Sequence, residues 1–285
     1  GNKMYRTVKN LLILVLTAAT IFMNSAAVLA APIETKLTLA NTAAENIDTL
    51  RQYISAAAQQ AGIGFTVDTK DSEIQLRQIT YWDTEEQALT KQHYILRQRL
   101  KIKNGTVANQ GELMLKYRSI DISSAPAITE LLHPAESHAK HARTKFEYDR
   151  IAYVDGSKAK YLTVASVSTA IKKVPQIDTW SYGDLYEYFP GLRTLNIPDS
   201  AALLPLKSSR TRQQTLARIN LSPGLDSKVE LNLGYKSADI LDNVELSWKH
   251  NDEDQLAEAN SHQIAAALRQ LLGELLIPGV LKSQK

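Results

Sequence analysis

Polar and apolar positions alternate with a period of two over many segments of this chain, and the alternation predicts strands. Ile33 to Leu39 sets Glu34 and Lys36 on one face and Ile33, Leu37 and Leu39 on the other. Glu73 to Asp83 sets Glu73, Gln75, Arg77, Tyr81 and Asp83 against Ile74 and Leu76. Tyr94 to Lys103 sets Arg97, Arg99 and Lys101 against Leu96, Leu100 and Ile102, with Gln98 as an exception. Asn104-Gly105 is a turn signal, and Glu112 to Arg118 returns with Glu112, Lys116 and Arg118 opposite Leu113, Leu115 and Tyr117. Lys145 to Tyr153 carries Lys145, Glu147 and Asp149 against Phe146 and Tyr148, and Asp155-Gly156 reads as its turn. Leu203 to Thr215 puts Arg210 and Arg212 on one face. Lys228 to Tyr235 and Asn243 to His250 set Glu230, Asn232, Glu245 and Lys249 against Val229, Leu231, Leu233, Val244, Leu246 and Trp248.

The period changes to a helical one in two places. Ala43 to Ala61 places Ile47, Leu50, Ile54 and Ala57/Ala58 on one stripe, with Asn41 or Thr42 as cap and Gly62 as stop. Asp252 to Leu276 is amphipathic through Leu256, Ile264, Leu268, Leu271, Leu272 and Leu275, and Pro278 ends it. Thr84 to Gln92 is a short polar turn or helical step. Ser119 to Thr144 is a polar connection, broken by Pro126 and Pro134, with a helical piece at Ala127 to Leu132. Thr163 to Ile171 is a strand or a buried helical turn, and Asp178 to Gly191 an aromatic loop with a short helix. With no internal repeat or low-complexity linker, residues 31-285 are expected to form one α+β domain.

Residues 1-30 read differently. Lys3, Arg6 and Lys9 precede a nearly continuous apolar run from Leu11 to Met23, and Val28-Leu29-Ala30 is a small-x-small exit. This is the pattern of a secretory signal peptide cleaved after Ala30, and the same segment left uncleaved would be a membrane anchor. The expected location is exported, periplasmic or extracellular. No other stretch is apolar enough over a long enough run to span a bilayer as a helix.

Composition narrows the chemistry. At 285 residues, 44% hydrophobic and 22% charged, the chain can bury a substantial core. The formal net charge of +3 gives no argument for a nucleic acid duplex as partner. Absence of cysteine excludes disulfides, thiol catalysis and thiolate metal sites. What stands out is the ionic face of the strands, which is dense in both signs and biased toward arginine, the residue suited to multidentate phosphate contacts. One reading is a solvated face on an open antiparallel sheet. The other is an inside-out arrangement: an antiparallel closed or nearly closed β-barrel with a charged lumen and the two amphipathic helices packed outside. The second is the fold expected here.

The order of motifs supports it. Tyr81-Trp82-Asp83-Thr84, Leu89, Tyr94 to Arg99 and Glu112 to Arg118 resemble the Y-x-D-T … L-R-x-R … L-T-x-K run of the CYTH or triphosphate-tunnel superfamily. Lys145-Phe146-Glu147-Tyr148-Asp149 is similar to its R-x-E-x-E strand, Arg210-Thr211-Arg212 to its later basic strand, and Asn243 to Ser247 to its E-L-E strand. The first-strand E-x-E-x-K motif appears as Pro32-Ile33-Glu34-Thr35-Lys36, so Pro32 replaces one glutamate and Ser247 another. The chain thus looks like a divergent exported member.

The resemblance implies a phosphate-rich polyanion as partner: triphosphate, polyphosphate or an organic triphosphate. It implies that Arg97, Arg99, Lys116, Arg118, Arg210 and Arg212 hold the phosphates. Glu34, Glu147, Asp149 and Glu245 would hold Mg or Mn, and Lys36 and Lys145 would orient charge in a metal-dependent triphosphatase. With two carboxylates lost, phosphate binding carries over better than hydrolysis, and a non-catalytic envelope binding module is the alternative. A third possibility is a structural barrel whose lumen charges pair with one another. His133, His138 and His141 are expected to be solvated, and Trp180, Tyr182, Tyr186, Tyr188 and Phe189 to form a lid packed on the barrel.

Overall fold

The computed structural model describes residues 31–69, 74–119, 125–155, 158–237 and 240–277. Residues 1–30, Glu73, Gly156 and Pro278, on which several expectations fell, lie outside the described residues. In chain order the strands are β1 (Pro32–Leu39), β2 (Phe65–Val67), β3 (Gln75–Asp83), β4 (Tyr94–Lys103), β5 (Thr106–Val107) and β6 (Gln110–Ser119). They continue as β7 (Ala142–Asp155), β8 (Lys158–Pro175), β9 (Leu204–Ser222), β10 (Leu225–Tyr235) and β11 (Leu241–Asn251). The α-helices are α1 (Ile47–Gln60), α2 (Ala88–Lys91), α3 (Ala125–Leu131) and α4 (Gln255–Leu272).

The strand order β10-β11-β1-β7-β8-β6-β4-β3-β9 closes on itself because β9 also pairs with β10, giving a nine-stranded barrel. Its ladder is mixed, which corrects the antiparallel expectation. β1 runs parallel to β7, with Glu34 beside Asp149 and Lys36 beside Ile151. No hairpin ties β1 to either neighbour, so nothing local fixes its direction, and a parallel ladder is nearly as stable per residue. β9 is long enough to meet β10 along one edge and β3 followed by β2 along the other.

The apolar faces point outward and are covered there. Leu37, Leu39, Val229, Leu231, Val244, Leu246 and Trp248 lie beneath α1 (Leu50, Ile54, Ala57) and α4 (Ile264, Ala265, Leu268, Leu272). Each fully buried leucine contributes roughly 1.5–3 kcal/mol, which is what holds the helices on the wall. Trp248 Nε1 donates to Ser261 Oγ at 2.8 Å, so the one polar atom of that ring is also satisfied. On the other side Leu96, Leu113, Leu115, Val167 and Ile171 are covered by Leu132 and by the short 3-10 segments Tyr182–Glu187 and Pro190–Leu195. Gln98 faces this layer and is buried; its amide donates to Pro175 O at 2.6 Å and accepts from Ile177 N at 2.9 Å. Those two bonds account for the polar exception in β4.

The helix boundaries shift for local reasons. A 3-10 turn at Asn41–Glu45 precedes α1, and the cap is Asn46, whose Oδ1 accepts from Thr49 N at 3.0 Å, not Asn41 or Thr42. Helix α4 starts after Asp254, which accepts from Ala257 N at 2.9 Å, and stops at Gly273 with φ 51°. Leu256 is 51% exposed, so the buried stripe of α4 runs through Ala257, Ser261, Ile264, Leu268 and Leu272. Thr163 to Ile171 resolves as part of the long strand β8.

Candidate functional site

Directly opposed residues of an antiparallel ladder share a face, so the register assigns each charge to a side of the wall. Arg97 opposes Tyr81 and Met114, and Arg99 opposes Ile79 and Glu112. Lys116 opposes Ile95 and Ser168, as Lys145 also opposes Ser168, while Arg118 and Glu147 both oppose Ser166. Glu34 opposes Lys249 and sits beside Asp149; Lys36 opposes Ser247, and Glu245 opposes Thr38 and Asn232. All of these line the inner face, away from the helices. The side chains of Lys36, Glu34, Arg97, Arg99, Lys116, Arg118, Lys145, Glu147 and Lys249 keep between 12% and 43% exposure, so water enters the lumen. Asp149 is the exception at 2%.

Two of the expected phosphate ligands point elsewhere. Arg210 opposes Gln78 and Tyr235, and Arg212 opposes Leu76 and Leu233, whereas the lumen residue Arg77 opposes Thr211. Leu233 belongs to the outer core, so Arg210 and Arg212 stand on the outer face. The cause is an extra residue. Between Val229 and Glu230 the partner on β9 jumps from Ala217 to Thr215, and the bulge at Leu216 inverts which positions face out. Arg212 Nη2 donates to Gln214 Oε1 at 3.3 Å within that outer face.

One end of the lumen is a chain of alternating charges. Asp149 accepts from Lys36 Nζ at 3.1 Å, Lys116 Nζ at 3.4 Å and Arg118 Nη2 at 2.9 Å. Lys36 Nζ also lies 3.3 Å from Glu34, Lys249 Nζ lies 3.5 Å from Glu34 and 3.2 Å from Glu147, and Lys145 Nζ lies 3.9 Å from Glu147. Burial works against the charge on Asp149, but Lys36, Lys116 and Arg118 prevail and hold its carboxyl well below the usual range. Burial likewise opposes ionisation of Glu34, and Lys36 and Lys249 overcome it. Lys36 is desolvated too, yet Glu34, Glu245 and Asp149 raise it above an ordinary lysine. Lys116 shares its one carboxylate with two other cations. Burial therefore dominates there and, with repulsion from Arg118 and Lys36, pushes its ammonium down to about 8.

At the other end Arg77, Arg97 and Arg99 outnumber the two carboxylates that act on them, Glu112 and Glu230. Arg97 and Arg99 approach the same oxygen of Glu112, at 3.9 and 3.5 Å. Arg77 sits near them and bonds to neutral amides instead, Gln213 Oε1 at 2.9 Å and Gln75 Oε1. Arg97 Nη2 has the weak acceptor Met114 Sδ at 3.2 Å. The Nε atoms of Arg97 and Arg99 are buried without a hydrogen-bond partner, and so is that of Arg118. Burial, and after it repulsion from Arg97, lowers Arg99 to about 10. Arg77, Glu112 and Lys249 were counted in the strand alternation but had no expected role; the signal that could have flagged them is that they share strand faces with Arg99, Lys116 and Glu245.

Divalent metal was expected on Glu34, Glu147, Asp149 and Glu245. Mg²⁺ and Mn²⁺ require several oxygens converging on one point. Glu34, Glu147 and Asp149 converge on the ammonium groups of Lys36 and Lys249 instead, and no cluster of three or more metal-type ligands occurs among the described residues. As arranged, this donor set does not fit a divalent ion.

The remaining candidates are structural. Asp83 is buried and turns both oxygens on the α2 segment, accepting from Thr84 N, Leu89 N, Thr90 N and Thr90 Oγ1 at 2.7–2.9 Å; it is not a lumen charge. The aromatic lid packs as expected: Tyr182 and Phe189 are fully buried, and Trp180 stacks on Tyr188 at 5.3 Å. His138 stacks on Tyr188 at 4.7 Å and lies 3.7 Å from Glu187.

A closed ladder, a wet and arginine-lined inner face and an outer jacket of helices make the architecture plain. It is a closed nine-stranded tunnel barrel. Comparison with solved structures returns several chains of low identity. One, from Hippeastrum, is provisionally named an adenylyl cyclase and described with a dominant triphosphatase activity; it is 15% identical over 82% of this chain and 86% of that one, with a TM-score of 0.42. A Bacillus halodurans protein provisionally named adenylate cyclase is 15% identical over 90% of this chain and 96% of that one, with a TM-score of 0.39. A Vibrio parahaemolyticus protein of the same provisional name is 12% identical over 88% and 97%, with a TM-score of 0.35. No family model and no curated protein matches the chain. The tunnel assignment rests on the ladder and register of the chain itself.

Proposed function

We propose that this barrel binds a phosphate-rich polyanion (triphosphate, polyphosphate or an organic triphosphate) in its lumen. The observation that carries the proposal is the arginine end. Arg97 and Arg99 share one carboxylate oxygen of Glu112, Arg77 turns to neutral amides, and two guanidinium Nε–H groups are buried with no acceptor. Buried donors without partners cost about 1–3 kcal/mol each, more when charged, so the fold holds an unmet demand for acceptor oxygens. A phosphate chain supplies several oxygens and the missing negative charge at once. Three of the carboxylates expected to serve metal-dependent hydrolysis, Glu34, Glu147 and Asp149, are engaged by lysines, so the binding reading stands ahead of the hydrolytic one.

A second reading has its own support: the alternation of Lys36, Glu34, Lys249 and Glu147 is what a self-paired structural barrel would show. Thermal unfolding with tripolyphosphate at low ionic strength separates the two. A rise in Tm that Arg99→Ala removes supports the binding tunnel. An unchanged Tm at low salt, even at millimolar tripolyphosphate, sinks it in favour of the structural barrel.

The reading extends to location. The basic Lys3, Arg6 and Lys9, the apolar run to Met23 and the Val28-Leu29-Ala30 exit support export to the periplasm or the extracellular space. An N-terminal sequence beginning at Ala31 on protein recovered from the exported fraction is the expected result; protein retained intact in the cytoplasm would overturn it.

A further inference from the structure

Two lysines stand where a divalent ion would have to bind. Lys36 Nζ bridges Glu34 and Asp149 at 3.3 and 3.1 Å, and Lys249 Nζ bridges Glu34 and Glu147 at 3.5 and 3.2 Å. The three carboxylates are thus tied to one another through ammonium groups. Lys145 lies 3.9 Å from Glu147, and Lys116 and Arg118 take the remaining oxygen of Asp149. Five cations therefore surround three carboxylates, and Glu245 adds its field to that of Lys36.

The two bridging lysines are anchored differently. Lys36 belongs to β1 and is four-fifths buried, whereas Lys249 reaches in from β11 and is 43% exposed. Lys249 opposes Glu34 directly across the β1–β11 ladder, so its reach to Glu34 is set by register, and its further contact with Glu147 spans β1. An ammonium tied to two carboxylates is a fixed positive charge that needs no metal to be present. A divalent ion entering the same place would have to displace it and would meet the neighbouring ammonium groups at close range.

We infer that Lys36 and Lys249 act as built-in cations in place of a divalent metal, so that this barrel binds its polyanion without metal and Lys249 is the residue that keeps metal out. The inference rests on the polyanion reading for its ligand, but its metal half can be tested alone. Two variants and two titrations suffice.

Mn²⁺ alone, followed by electron paramagnetic resonance and calorimetry, is expected to show no saturable binding to the unaltered protein below millimolar concentration. Lys249→Gln removes one ammonium and leaves Glu34 and Glu147 facing each other; it is expected to gain a saturable Mn²⁺ site. Lys249→Arg, which keeps the charge, is expected not to. Circular dichroism would confirm that both variants are folded. Tripolyphosphate titrated into the unaltered protein is expected to bind in EDTA and in excess Mg²⁺ with affinities within about threefold of each other.

Submillimolar Mn²⁺ binding by the unaltered protein, or no gain in Lys249→Gln, overturns the inference. So does tripolyphosphate binding that appears only with Mg²⁺, which would leave the polyanion reading intact. Absence of tripolyphosphate binding in both buffers sinks the polyanion reading and the metal-free binding claimed here together.

Discussion

Lys36 Nζ donates to Asp149 Oδ1 at 3.1 Å across the parallel pairing of β1 with β7, and this bond joins two strands that no hairpin connects. Asp149 is 2% exposed and is the common partner of Lys36, Lys116 and Arg118. Asp149→Asn keeps the shape and removes the charge, leaving three cations facing one another. Breaking a buried pair by removing one partner costs about 3–5 kcal/mol, and the partial exposure of the cations puts the expected loss near the lower end. Urea unfolding measures it. A loss below about 1 kcal/mol would mean that solvent already screens these charges.

Acid should act on the same carboxylates. Asp149, Glu34 and Glu258 all have pKa values held below their ordinary ones in the fold, with Glu258 lowered to about 2. For Glu258, burial opposes the charge and is outweighed by His250, Arg150 and His262, at 2.5, 2.5 and 2.8 Å, which ties α4 to β7 and β11. A carboxylate with a depressed folded pKa contributes its full stability above the unfolded value and loses it as pH falls toward the folded one. Stability is therefore expected to be flat in these groups above about pH 4.5 and to fall from there toward about pH 2. Denaturation midpoints collected across that range check it, and a midpoint that holds steady from pH 5 to pH 3, on the order of the window named, would contradict it.

Lys116 gives the opposite kind of dependence. Its ammonium is lowered to about 8 by burial, with Arg118 and Lys36 adding repulsion. Between that value and the ordinary 10.5 the unfolded chain binds more protons than the fold, so this group makes stability rise with pH across the interval. Ligand binding runs the other way, because a polyanion favours the charged form. Affinity for tripolyphosphate is expected to fall as pH rises through about 8, by up to about tenfold per unit for one proton. Lys116→Met should bind more weakly and lose that slope. Calorimetry in buffers of different ionisation enthalpy would show proton uptake by the native protein near pH 8 and none by the variant.

The strand faces were legible in sequence wherever the period of two ran undisturbed. In β1, β4, β6, β10 and β11, and in β7 from Lys145 to Asp149, the apolar positions pack outward and the charged ones named above line the lumen, because pleating alone decides the side. Closure was inferable only from the density of charge on faces that had to meet something other than bulk water. The direction of β1 relative to β7 was not legible, since strands far apart in sequence carry no local mark of their neighbours. Asp83 shows another limit: its partners are backbone amides of the following turn, and its identity as an acid does not distinguish that role from a lumen charge. Lys249 shows a third. Its reach to Glu147, two strands away, depends on side-chain length and barrel curvature, neither of which a single strand records.

Arg99 and Arg212 offer the sharpest comparison, because the family resemblance implied the same role for both and the register separates them. Arg99 faces the lumen opposite Glu112, while Arg212 faces outward opposite Leu233. The bulge at Leu216 is responsible, and no residue type announces an inserted position in a strand that is otherwise regular. If the lumen is the binding surface, Arg99→Ala should weaken tripolyphosphate binding by at least about tenfold, as expected for losing a charge-assisted contact of roughly 1.5–3 kcal/mol. Arg212→Ala should leave affinity within about twofold, since a charge on the outer wall acts only through screened long-range field. Parallel calorimetric titrations at one ionic strength decide the matter. Equal losses for the two variants would place the anion outside the tunnel and undo the assignment of the site.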